Sequence, residues 1–184
     1  SMANEIIVTI KGLKELDDLL KQLPAEIEAN LMRAAMRSGL KEIGGIAKQM
    51  LAAEGHVQSG DLQRSIKVTF DKKQESKYGW MRGKLVAGNK KAWYAHILEF
   101  GSGGYYTGKG SKSKRAPYLI KANKKKSLFF AGSAIESVVH PGVKPSPFMR
   151  PALDSGAQRA INAVAAYLTK GIPRTIKKLK KNGY

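Results

Sequence analysis

The sequence predicts an α+β domain, an antiparallel sheet with a long central helix and a C-terminal helix packed on one face. Three observations predict it: an amphipathic helical pattern over 25–53, short alternating segments between 65 and 139, and a second helical pattern over 151–170. Helices bracketing a run of strands are the mark of that class.

The elements follow in order. Positions 5–11 alternate, with Ile6, Val8 and Ile10 on one face, and Gly12 ends the strand. Leu13, Leu16, Leu19, Leu20 and Leu23 then recur at helical spacing until Pro24. The central helix carries the stripe Ile27, Leu31, Ala35, Leu40, Ile43, Ala47 and Met50/Leu51, with Glu26 and Glu28 in its dipole-favoured first turn. Gly39, Gly44 and Gly45 weaken it by about 1 kcal/mol each, and either let another backbone come close or allow a kink.

Ser59-Gly60-Asp61-Leu62 reads as a turn, after which Ile66, Val68 and Phe70 alternate inward. Positions 71–80 read as a polar hairpin loop, 84–88 as a strand and 93–100 as another. The Gly/Ser/Lys-rich stretch 101–116 has almost nothing to bury and reads as a flexible basic insert. Further strands are expected at 118–122, 128–131 and 134–139, and the last helix at 151–170 with Pro151 in its first turn. One domain thus spans 2–170, and 171–184 is a basic tail.

Charge is unevenly placed. Through Ser76 there are 11 Lys and Arg against 11 acidic residues; from Lys77 onward there are 22 against three. The net +19 therefore belongs to the second part of the chain, which implies a polyanionic partner or an acidic protein surface. Candidate contacts are Lys109, Lys112, Lys114 and Arg115 in the insert, Lys124, Lys125 and Lys126 after it, and Lys177, Lys178, Lys180 and Lys181 in the tail. Tyr105 and Tyr106 beside the insert lysines make stacking plus phosphate neutralisation available. Lysine's excess over arginine suits non-specific electrostatics better than base readout.

Enzyme chemistry finds little support. His56, His96 and His140 lie some 40 residues apart, without metal-ligand spacing or an accompanying nucleophile. The insert glycines lack the strand-before, helix-after context of a phosphate loop, so no cofactor is expected. With no cysteine there is neither a disulfide framework nor a thiolate metal site. Glu99, in an aromatic segment, is read either as a buried partner of Arg150 or as a carboxylate in water. The opening residues form no secretory signal, no apolar run reaches the roughly 18 residues of a membrane span, and cytosolic synthesis is expected.

Three stretches together resemble the tail-completion, or head–tail joining, proteins of lambda-like tailed phages and prophages. They are Ser59-Gly60-Asp61-Leu62-Gln63-Arg64-Ser65-Ile66, Tyr94-Ala95-His96-Ile97-Leu98-Glu99-Phe100-Gly101, and a closing run from His140-Pro141-Gly142 through Pro147-Phe148-Met149-Arg150-Pro151 to Ala152-Leu153. The resemblance spans roughly 5–170, in order and in register. It implies a structural subunit that joins a homo-oligomeric ring between head connector and tail tube. Implied partners are its own copies, head-completion or connector proteins, tail-tube or tail-terminator proteins and DNA in the tail channel. It also implies no membrane partner, and a place in the virion after assembly in the host cytoplasm. Residues 103–115 of the insert and the basic tail stand outside the resemblance. A non-specific nucleic-acid-binding protein is the alternative.

Overall fold

The structure, a computed structural model, describes residues 4–7, 14–121, 128–130, 133–135 and 137–183. β1 (Asn4–Ile7) is followed by α1 (Lys14–Leu20) and the spine helix α2 (Ala25–Ala53). Next come α3 (Asp61–Ser65), β2 (Lys67–Phe70), α4 (Lys72–Tyr78), β3 (Gly83–Ala87) and α5 (Ala95–Phe100). Two 3₁₀ turns, Gly103–Tyr105 and Lys112–Arg115, lead to β4 (Tyr118–Lys121), β5 (Leu128–Phe130), β6 (Ser133–Ile135) and β7 (Ser137–His140). The last helix is α6 (Met149–Lys181).

The α+β class expected from the pattern is the one observed. An antiparallel sheet of order β1-β3-β2 pairs Glu5 with Val86 and Val68 with Leu85. β4 pairs with β7 and β5 with β6 in two smaller antiparallel ladders. α2 lies over β2 and β3, α6 reaches β1, and α2 and α6 form the main helix pair.

That pair is antiparallel, as the glycines show. A Cβ on Gly39 would sit 2.8 Å from the Ala160 carbonyl oxygen, and one on Gly156 would sit 2.7 Å from Ile46. The glycines thus draw the two backbones together, as expected for Gly39. Gly44 serves the other side, facing Leu85 on β3. Two apolar clusters result. One joins Leu40, Ile43, Ala47 and Leu51 of α2 to Leu62, Leu85, Phe148 and Met149. The other joins Leu20, Leu23 and Ala35 to Val164, Leu168 and Ile172.

Several local expectations are corrected. Residues 93–100 form no strand: the chain turns at Tyr94 and runs as α5, burying Ala95 and Glu99 four positions apart. A segment apolar at most positions satisfies both periods, and burial of one face decides. Positions 71–80 do connect the antiparallel strands β2 and β3, but as the helix α4 and not as a loop, capped by the Asp71 carboxylate accepting from the Gln74 N–H at 3.1 Å. Arg33 of α2 fixes this helix through both carboxylate oxygens of Glu75, at 2.8 and 3.0 Å. The final helix does not stop at 170 but runs through Gly171 and Pro173 to Lys181. Ile172, Ile176 and Leu179 continue the apolar stripe onto the second cluster, and that burial carries the helix past its proline.

Some expectations fall outside the described residues: positions 8–11 of the first strand, Gly12, Leu13, Ala122, Ala131, Glu136, and the candidate contacts Lys124, Lys125 and Lys126.

Candidate assembly surface

The second and third motifs meet in one hydrogen-bonded knot around the start of α6, and the first joins them through apolar packing. Glu99 is 6% exposed. Its Oε2 accepts from the N–H groups of Phe148 (2.8 Å) and Met149 (2.9 Å), and its Oε1 from Arg150 N–H (2.9 Å). A helix leaves its first N–H groups without partners, and its dipole favours a negative charge there. Both readings of Glu99 are therefore corrected. The carboxylate is neither in water nor paired with a guanidinium, because Arg150 contributes its backbone while its side chain is exposed.

Phe148, fully buried, lies in the same cluster as Leu62 of the first motif and Ala95 of the second. Main-chain bonds tie the rest together. Ser146 N–H donates to Leu98 carbonyl (2.7 Å), Ser102 N–H to Val143 carbonyl (2.9 Å) and Gly104 N–H to Pro141 carbonyl (2.8 Å). Gly142 has φ 111°, and a Cβ there would stand 1.9 Å from the Ser102 oxygen. Gly101, at φ 73°, ends α5 against Val143 and Pro145.

His140 braces the Pro-Gly turn that follows it. Its Nδ1 accepts from Gly142 N–H at 3.0 Å, and its ring stacks on Tyr118 with centroids 5.2 Å apart. Gly60, at φ 74°, opens α3. There Arg64 bonds the Asp61 carboxylate at 2.7 Å; with Ser59 it holds that carboxyl below the usual range. Tyr94 begins α5, Phe100 packs on His96 (centroids 5.0 Å apart), Pro147 is exposed and Pro151 lies in the first turn of α6.

Sequence reading missed one cluster, His56 with Ser146 and Glu54. The Ser146 hydroxyl donates to Glu54 at 2.5 Å and lies 3.0 Å from His56 Nε2, which is 3.5 Å from Glu54. The same imidazole nitrogen faces hydroxyl and carboxylate, whereas a catalytic relay places the ring between them. The cluster instead clamps the end of α2 to the closing run. Ninety positions separate His56 from Ser146, so no local signal announced it.

The basic candidates fall into two groups. In the insert, the Tyr106 hydroxyl donates to the Lys109 carbonyl (3.0 Å), Arg115 donates to the Gly108 carbonyl (3.3 Å), and Lys114 Nζ stands 6.0 Å from the Tyr106 ring centre. Lys109 and Lys112 are exposed. Beneath them His96 packs on Phe100 and Tyr106, and its Nε2 is buried with no hydrogen-bond partner among the described residues. Burial, helped by the nearby Lys114 charge, lowers its pKa.

Lys177, Lys178, Lys180 and Lys181 are exposed at the far end of α6. The insert is tied to the beginning of that helix, whose 33 residues span about 50 Å. The two groups therefore form separate surfaces. Among the described residues, no three His, Asp or Glu side chains gather to hold a metal ion, and no helix is long and apolar enough to cross a membrane.

These features define an α+β protein whose sequence motifs fix architecture and whose candidate cations face outward at two ends. A family model described as "Bacteriophage HK97-gp10, putative tail-component" matches residues 14–101, so from α1 to the end of α5 the chain resembles a structural component of the phage tail, a virion protein. The match contains the first two motifs; the closing run lies beyond it. No curated protein and no solved structure matches the chain.

Proposed function

We propose that this chain is a ring-forming subunit of the phage neck, completing the tail and joining it to the head. The carrying observation is that the second motif, inside the tail-component match, is bonded to the closing run in one knot that orients α6, while Leu62 of the first motif packs against the same cluster. A rigid subunit with cations at two separate ends suits a junction, where each end meets a different neighbour. Its partners are copies of itself, a head-completion or connector protein, and a tail-tube or tail-terminator protein, with DNA passing through the channel. Assembly takes place in the host cytoplasm, and the insert at 101–116 and the end of α6 make the polar contacts.

Electron microscopy of a lysate from the source phage lacking this gene tests the reading. Filled heads beside unjoined tails, or tails of irregular length, are expected; normal infectious particles would sink it.

A second reading, non-specific nucleic-acid binding, is favoured by the exposed lysines at the end of α6. It predicts DNA affinity that falls steeply with salt, by about tenfold per ion contact for each tenfold rise in concentration.

A further inference from the structure

We infer that a groove between α2 and β2 is the socket for a second copy of this chain, which enters with the acidic corner where α1 meets α2. This deepens the ring reading and rests on it. The groove encloses about 470 Å³. Arg37, Lys41 and Lys48, on one face of α2, line it together with Lys67 of β2. All four side chains are exposed and, among the described residues, no carboxylate lines the groove. Its floor is apolar, formed by Ile66, Val68 and Leu85. β2 is an edge strand, bonded through its backbone to β3 alone among the described residues.

Like charges gathered in a concave wall call for an anionic occupant. An apolar floor beside an unpaired strand edge calls for side chains and a peptide backbone, which a phosphate chain does not offer. The same sequence supplies such a partner. Five of its 14 acidic residues lie between Glu15 and Glu28. Asp17, Asp18 and Glu28 all act on the single cation Lys21, whose pKa they raise, Asp17 most through a direct hydrogen bond. α1 buries Leu20 and leaves Asp18 exposed beside Leu19, which is 42% exposed.

A molecule cannot fill its own socket. Nine positions of one continuous helix separate Glu28 from Arg37, the nearest groove residue on α2, or about 14 Å. Socket and corner are different surfaces, so the contact is heterologous and propagates into a closed ring or a filament.

Sedimentation velocity of the full chain at low ionic strength tests this with exposed positions only. K41E/K48E and D18K/E26K are each expected to be monomeric, while their equimolar mixture regains the wild-type oligomer, each groove meeting an oppositely charged corner. Oligomers that persist in K41E/K48E overturn the socket but leave the ring standing, whether or not retention on duplex DNA weakens. Monomers that the mixture fails to restore overturn the pairing. A wild-type chain that never associates overturns the ring reading as well.

Discussion

The two ends of α6 are held by different physics. At its start, three N–H groups converge on one buried carboxylate, and a tight glycine turn locks the preceding strand. At its end, Ile172, Ile176 and Leu179 lie on the apolar cluster of α1 and α2, while the lysines between them stay in water. The first attachment is directional and depends on each partner; the second scales with buried area and tolerates irregularity, Pro173 included. Directional bonding positions the joined motifs, and area burial extends a charged rod from them.

The largest way to break this comparison is Glu99→Ala. It leaves three N–H groups without their acceptor, and a loss of about 4 kcal/mol is expected in the unfolding free energy from denaturant titration. Glu99→Gln keeps one acceptor oxygen and should lose about half as much; equal losses would show that volume, not acceptance, matters. Ile172→Ala, at the other end, should cost about 2–3 kcal/mol. Pro173→Ala restores a helical N–H and is expected to gain about 1 kcal/mol, a rise in melting temperature that the knot residues cannot provide.

A smaller effect comes from His96. Its folded pKa lies below that of the unfolded chain, so the unfolded state binds more protons as the pH falls. Stability is full above about pH 7 and declines as the pH drops through the unfolded histidine value toward the folded one. In His96→Phe this part of the decline should vanish, as thermal melts between pH 5 and 8 would show. Smallest for stability is neutralising Lys177, Lys178, Lys180 and Lys181 to Gln, expected to change it by less than about 0.5 kcal/mol. The same change should reduce head–tail joining, and unchanged joining would remove the tail from the contact surface.

Much of the fold was legible because apolar spacing survives in sequence. Leu40, Ile43, Ala47 and Leu51 mark the buried face of α2, and Val68 and Leu85 mark paired strands. The segment 93–100 was not, since Ala95, Ile97, Leu98 and Phe100 serve a strand as well as a helix. Gly171 and Pro173 carried a true stop signal that packing overrode. The candidate cations were legible as charge, but their division into two surfaces was not.

By itself the sequence determined the class of fold, the place of the positive charge and the three motifs, because periodicity, charge and turn chemistry are local properties of the chain. Only the tertiary structure decided what Glu99 does, where α6 ends and that His56, Ser146 and Glu54 meet. Each of these depends on groups far apart in the chain whose burial and hydrogen bonds exist only after it has closed on itself.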